Sequence, residues 1–257
     1  MDRIKKQIDK SRASAKKIIS VYFTAGFPEL HDTTEIIREL EKSGADMIEI
    51  GLPFSDPLAD GPVIQHSSSI AISNGINAKV LFEQLSNIRE SVQIPLILMA
   101  YLNPLLQYGF EDFCENCQKV GIDGLIIPDL PPEQFETDYV EILDRYNLKN
   151  ILLVTPQTSD DRIRYIDSLS TGFTYLVSSP GVTGNNKVFS NVEETYFKRI
   201  AALNLQNPCI AGFGIHDKKS FESASRYSDG GIIGSSFIRQ LEKEGIKGIS
   251  QFINKFR

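Results

Sequence analysis

A carboxylate stands inside an apolar strand pattern at Met47-Ile48-Glu49-Ile50, and the chain then breaks at Gly51 and Pro53 into a loop carrying Asp56 and Asp60. Glutamate is depleted in strands and seldom buried without compensation, so Glu49 is either a solvated edge residue or a group aimed at a ligand. The acidic loop that follows favours the second reading. A carboxylate near the C-terminal end of a strand, with a second a short loop away, is the residue set for paired acid/base work. Burial would raise the pKa of Glu49 and suit it to proton transfer, while Asp60 on the loop would stay ionised.

Two glycine clusters near the C-terminus have a different chemistry. Gly212-Phe213-Gly214 and Gly230-Gly231-Ile232-Ile233-Gly234-Ser235-Ser236 would follow and enclose the last two strands. There the loops of a barrel commonly hold a phosphate, through backbone N–H groups and the dipole of a short helix. Gly214, Gly234 and Ser235 are the expected phosphate contacts, with Ser235 also expected as an N-cap. With few basic residues nearby, amides and the helix dipole must hold the dianion. Tyr22, Met99, Tyr101, Ile126, Leu153, Tyr175 and Phe213 fall near strand ends. Packing alone explains several of these, yet aromatics on three different strands suit a flat aromatic ligand. His31, His66 and His216 fall at helix starts or in a loop helix, and no chemistry is assigned to them. Cys114-Glu115-Asn116-Cys117 reads as CxxC, but it lies in a helical stretch with no second CxxC or nearby histidine, so a structural role is expected and no metal site.

The elements that must position these residues repeat in a strand-then-helix rhythm. Lys17 to Phe23 is an apolar run closed by Gly26 and Pro28, and Thr33 to Ser43 follows with Ile36, Ile37 and Leu40 at helical spacing. Further strands are expected at Asp46–Gly51, Pro95–Tyr101, Gly124–Ile127, Asn150–Val154, Phe173–Ser178, Cys209–Gly212 and Gly231–Gly234, with helices between them, such as Val80–Ser91 and Glu133–Tyr146. About eight such units and 257 residues predict an α/β protein, a (β/α)8 TIM barrel forming a single domain over 1–257. An open doubly wound sheet is the alternative, but no G-x-G-x-x-G follows the first strand. The N-terminal stretch to Ser14 is polar, with Ile4 and Ile8 at helical spacing, and is expected as an extra helix. The second and sixth strand-to-helix connections, Leu52 to Asn77 with a helix from Val63 to Ser73, and Ser179 to Asn191, are longer than usual and mark a catalytic face.

A net charge of −6 without a basic block speaks against nucleic-acid binding. No stretch approaches the ~20 apolar residues of a membrane span, and the N-terminus lacks the apolar core of a signal peptide. A cytoplasmic protein is expected.

Gly51 to Gly61, Gly-Leu-Pro-Phe-Ser-Asp-Pro-Leu-Ala-Asp-Gly, resembles the signature of the tryptophan synthase alpha chain family. The resemblance continues in Tyr22-Phe23-Thr24-Ala25-Gly26-Phe27-Pro28, Met99 to Pro104, Ile127 to Pro131, Gly181-Val182-Thr183-Gly184 and Gly212 to Ile215, and so spans nearly the whole chain. It implies retro-aldol cleavage of indole-3-glycerol phosphate to indole and glyceraldehyde 3-phosphate, a carbon–carbon lyase step of tryptophan biosynthesis. Glu49 and Asp60 would be the catalytic pair, and the strand-end residues above, with Tyr175 flanking the site, would line the indole pocket. Thr183 would close over the site toward Asp60, and Gly184 would join the phosphate contacts. The resemblance further implies no cofactor in this chain and a beta-chain partner carrying pyridoxal phosphate, in an assembly of two of each, to which indole passes directly. The alpha-side contacts would come from Pro53, Asp56, Pro57, Asn103, Asp129 and Pro131 in strand-to-helix loops. Two departures, Ile70 in place of a common arginine and Ser179-Pro180 in place of a basic residue, bear on partner contact and loop closure. Another phosphate-binding barrel, or a mainly activating subunit with slight activity of its own, are the rival readings. The Asp56 to Gly61 loop argues against the first.

Overall fold

A computed structural model describes residues 2–177, 191–212 and 214–257, with nothing said of the side chains at 191–193. Eight parallel strands close into one barrel: β1 (Ile18–Thr24), β2 (Met47–Gly51), β3 (Leu96–Met99), β4 (Gly124–Ile126), β5 (Lys149–Val154), β6 (Thr174–Val177), β7 (Cys209–Gly212) and β8 (Gly230–Ile233). Each pairs with its sequence neighbour, and β8 returns to β1. The expected barrel is borne out.

Side-chain alternation divides the apolar residues into two cores. One set of positions faces the helices, where Phe23, Ile48, Leu98 and Leu125 pack with helix residues such as Phe113 and Leu40. The opposite set fills the barrel with Ile18, Met47, Ile97, Ile126, Ile151, Phe173, Ile210 and Ile232. Strands buried on both faces therefore read as continuous apolar runs, as β1 does with every residue buried. Against that background Ser20 and Glu49 are conspicuous, because both are fully buried polar residues.

The N-terminal helix, Arg3–Ala13, closes the bottom of the barrel. Asp2 caps it by accepting from Lys5 N at 2.9 Å, and Ile4 and Ile8 enter the interior core. Its rim is polar: Arg3 donates to Asp123 Oδ1 at 3.0 Å, Gln7 to Asp46 at 2.8 Å and Arg12 to Asp229 at 2.7 Å. Thus a segment that reads as mostly polar is a plug, because only one narrow stripe of it has to be apolar.

Most helices fall near their expected positions. Phe110–Val120 buries Phe110, Phe113, Cys114, Cys117 and Val120 at three- and four-residue spacing and stops at Gly121, whose φ of 82° supplies the left-handed cap. Differences come where one periodic stretch covers two elements. Helix Ala78–Leu85 is followed by a separate 3-10 turn at Ile88–Glu90, and the stretch expected from Glu133 to Tyr146 is two helices, Pro132–Asp138 and Val140–Arg145. Leu102–Tyr108 is a helix where only a loop was expected. Pro104 sits in its first turn, where its missing N–H costs nothing, so the proline does not exclude a helix there.

Candidate active site

Glu49 sits near the C-terminal end of β2, directly paired with Tyr22 on β1 and Ile97 on β3. Its carboxyl is fully buried, and the hydroxyl of Ser20 donates to Oε1 at 2.8 Å. Oε2 has no hydrogen-bond partner among the described residues. Burial pushes the Glu49 carboxyl up to about 8, and the Ser20 hydrogen bond acts against that rise.

Asp60 lies in the loop between β2 and helix Pro62–Ser73, partly buried. Tyr101 anchors this loop at three points. Its hydroxyl donates to Asp60 Oδ2 at 3.0 Å and accepts from Ala59 N at 3.0 Å, and its ring meets Phe54 with centroids 5.4 Å apart. The amide of Gln65 holds the Asp60 carbonyl at 2.9 Å. Burial raises Asp60 to about 6, and the Tyr101 hydrogen bond lowers it.

Tyr22 and Tyr175 enclose the same space. Their hydroxyls are raised well above the usual phenol range, by burial first and then by the nearby carboxylates, Asp60 for Tyr22 and Glu49 for Tyr175. Both rings lean across a neighbouring strand at a glycine. A Cβ on Gly51 would lie 2.2 Å from the Tyr22 hydroxyl, and one on Gly212 would lie 2.2 Å from that of Tyr175. These glycines serve close approach, since neither has a left-handed backbone. Met99, Ile126 and Leu153 extend the same inner layer over β3, β4 and β5. Phe213, Thr183 and Gly184 lie outside the described residues.

At the end of β8 the structure corrects one expectation. The N-cap of helix Ser235–Glu244 is Gly234, without a side-chain cap, and Ser235 is the first helical residue. A glycine cap leaves the first-turn N–H groups open, which is the arrangement that receives an anion. Gly214 has a φ of 76°, and its carbonyl contacts His216 Nδ1 at 2.8 Å.

The six residues expected at a partner surface stand at the C-terminal face, with one correction. Asn103 is on helix Leu102–Tyr108, not in a loop. Asp129 also has an internal duty, accepting Leu102 N at 2.8 Å where that helix begins. Pro53 and Pro57 are partly buried, while Asp56 and Pro131 are exposed. Sequence reasoning passed over Leu58 and Leu106, large apolar side chains with exposures of 86% and 51%. Leu58 carried a readable signal, as a lone apolar residue in a polar loop, whereas Leu106 lies four residues after Leu102 and reads as part of a helical stripe. Ser20 was also missed, although a lone hydroxyl in an apolar strand run marks it.

Cys114 and Cys117 are both buried on one helix, and burial raises the first thiol to about 12 and the second well above its ordinary value. Such thiols are unreactive packing groups. Among the described residues no group of three or more His, Cys, Asp or Glu side chains is placed to hold a metal ion.

The closed barrel, with Glu49 near the C-terminal end of β2 and Asp60 in the loop beyond it, defines an enzyme of the (β/α)8 class. The family model described as tryptophan synthase alpha chain matches residues 8–256. Tryptophan synthase alpha chains of Flavobacterium psychrophilum and Flavobacterium johnsoniae are each 56% identical, over 99% and 100% of both chains. The crystal structure of the alpha subunit from Legionella pneumophila superposes with a TM-score of 0.90 at 32% identity, covering 100% of this chain and 97% of that one. Tryptophan synthase of M. tuberculosis in its aminoacrylate-bound form gives a TM-score of 0.88 at 26% identity, covering 100% of this chain and 98% of that one. This chain belongs to the tryptophan synthase alpha chain family. It is a lyase subunit of tryptophan biosynthesis whose reaction is cleavage of indole-3-glycerol phosphate to indole and glyceraldehyde 3-phosphate.

Proposed function

We propose that Glu49 and Asp60 carry this cleavage in distinct roles. The observation that carries the reading is the fully buried Glu49 carboxyl with one oxygen hydrogen-bonded and the other unpartnered. Protonated Glu49 gives its proton from Oε2 to indole C3, and the ring becomes an indolenine. The resulting carboxylate takes the proton of the glycerol hydroxyl as the bond between C3 and the glycerol carbon breaks. One proton leaves and one returns, so the carboxyl ends as it began. Asp60, ionised, accepts the indole N1–H as positive charge reaches the nitrogen.

Tyr22, Tyr101 and Tyr175, with Met99, Ile126, Leu153 and Phe213, form the indole pocket, and Thr183 closes it. Backbone amides at Gly184, Gly214, Gly234 and Ser235 receive the phosphate. The proton transfers close without a metal or organic group, so this chain works without a cofactor of its own. Pyridoxal phosphate belongs to a beta-chain partner, which receives the indole and condenses it with serine. Pro53, Asp56, Pro57, Asn103, Asp129 and Pro131 form the alpha side of that contact, in a tetramer of two alpha and two beta chains. Exposed Leu58 and Leu106 fit the same surface, since large apolar side chains in water are relieved by a partner. The chain acts as a single domain over 1–257, and its three free cysteines suit a reducing cytoplasm.

The deciding experiment is steady-state lyase kinetics of Glu49→Gln and Asp60→Asn, alone and with the beta chain. Both variants should fold and lose most activity; near wild-type turnover in Glu49→Gln would overturn the acid/base assignment. An unresponsive mixture of the two chains would instead reject the partner reading.

A further inference from the structure

Ser20 lies on β1, where it pairs with Met47 and not with Glu49, whose direct neighbour is Tyr22. The Glu49 carboxyl therefore reaches diagonally back, toward the floor of the barrel, to meet a hydroxyl one inward layer deeper. That floor is apolar: Ile18, Met47, Ile97, Ile210 and Ile232 surround it. Ser20 and Glu49 are both 0% exposed, so bulk solvent reaches neither. A serine there forgoes the apolar burial of a valine or isoleucine. Something other than packing accounts for it.

We propose that Ser20 is a positioning residue for the proton transfer: its hydroxyl pins Glu49 Oε1 and so makes Oε2 the oxygen that exchanges protons with the substrate. The inference rests on the reading of Glu49 as the acid/base group. A carboxyl free to rotate could carry its proton on either oxygen, whereas here Oε1 is taken by Ser20 and Oε2 is the unpartnered one. With Oε1 held as acceptor, the proton is confined to Oε2. After transfer, the same hydroxyl donates to a carboxylate that bulk solvent does not reach, and the charge becomes affordable in an apolar surround. No proton leaves Ser20 in the cycle; its O–H remains the donor throughout.

The other titratable groups facing Glu49 do not take over this work. Tyr22 on β1 and Tyr175 on β6 are phenols kept neutral by burial. Asp60, on the loop, is tied to Tyr101. The inward residues of β3 are Ile97 and Met99, and that of β8 is Ile232. Among the described residues, the Ser20 hydrogen bond is the interaction that opposes the rise of the Glu49 pKa to about 8.

Ser20→Ala, assayed in the alpha–beta complex, tests this. Glu49 must start protonated, so kcat/KM falls as pH rises through its pKa. Losing a hydrogen bond to the charged form makes Glu49 a weaker acid. The basic limb should move about one to two pH units higher, while plateau kcat drops about tenfold and KM stays within about twofold. A direct titration of the Glu49 carboxyl by carbon NMR should move in the same direction. A role in packing alone would change the melting temperature and leave both titrations in place; an unmoved limb and an unmoved NMR titration overturn the proposal. Glu49→Gln measured alongside separates the two failures. If that variant is active, the acid/base reading of Glu49 falls, whereas an inactive Glu49→Gln with an unmoved Ser20→Ala limb removes Ser20 alone.

Discussion

Glu49 and Asp60 stand at the same end of the barrel but are held in opposite ways. Glu49 is fixed by the barrel: its backbone is laddered on both sides and its carboxyl is sealed within the inner core. Asp60 is fixed by a loop held mainly by Tyr101, which binds Ala59 N, the Asp60 carboxylate and the Phe54 ring, and by the Gln65 amide on the Asp60 carbonyl. Burial raises Glu49 to about 8 but Asp60 only to about 6. A rigid, dry position thus keeps a proton near neutral pH, while a looser, partly exposed one gives it up. The two environments supply an acid and an anion from nearly identical chemistry.

The largest test of that contrast is to remove the proton from each. Glu49→Gln keeps shape and should lower kcat by ~10²–10⁴-fold. The same change should stabilise the fold, and its pH dependence has a definite sign. The folded pKa of Glu49 is raised from 4.5 to about 8, so between these values the native state binds more protons than the unfolded chain. Stability therefore falls as pH rises through this window, and replacing the group removes that loss. Melting curves should show no gain for Glu49→Gln at pH 4 and the full gain above pH 8. Equal melting behaviour at both would mean that Glu49 is not buried as an acid.

The next effect is on pH profiles. With Glu49 needed protonated and Asp60 ionised, kcat/KM should be bell-shaped, rising through about 6 and falling through about 8. Tyr101→Phe removes the hydrogen bond that lowers Asp60, so its acid limb should move upward by about one pH unit with the basic limb unchanged. Movement of the basic limb instead would reverse the assignment of roles.

Gly234→Val probes the far end of the ligand. A Cβ at Gly234 meets its nearest atoms, in Tyr22, at 3.7 Å, so the first side-chain carbon has room and the γ carbons of valine take up the space beyond it. The expected outcome is a KM raised about tenfold or more with an unchanged melting temperature, measured by kinetics and by calorimetry of a glycerol-phosphate analogue. Gly214 is the poorer choice, because its φ of 76° strains any side chain there. The smallest effect is expected from Gln65→Ala, which frees the Asp60 carbonyl at a half-open site. Turnover should fall only about two- to tenfold, the value of one hydrogen bond. A loss as large as that of Asp60→Asn would show the loop to be more rigid than Tyr101 alone explains.

The sequence by itself determined the barrel, because the interior and the helix-facing sides of each strand must both be apolar and that leaves a repeated, readable pattern of runs closed by glycine. It also placed Glu49 at a strand end and Asp60 in the loop beyond, since a carboxylate inside an apolar run is anomalous at the level of neighbouring residues. Boundaries were less legible: the turn at Ile88–Glu90 and the split at Tyr139 continue the helical periodicity of the segments they interrupt. Only the tertiary structure decided which groups hold the two carboxyls. Ser20 meets Glu49 across 29 residues of chain and Tyr101 meets Asp60 across 41, and no periodicity links positions so far apart. The same holds for Gly51 and Gly212, which look like turn glycines in sequence and prove to be clearances for the Tyr22 and Tyr175 hydroxyls. Local pattern dictates where each strand runs and which way its side chains alternate. Barrel closure, which sets register between strands distant in sequence, dictates what those side chains touch.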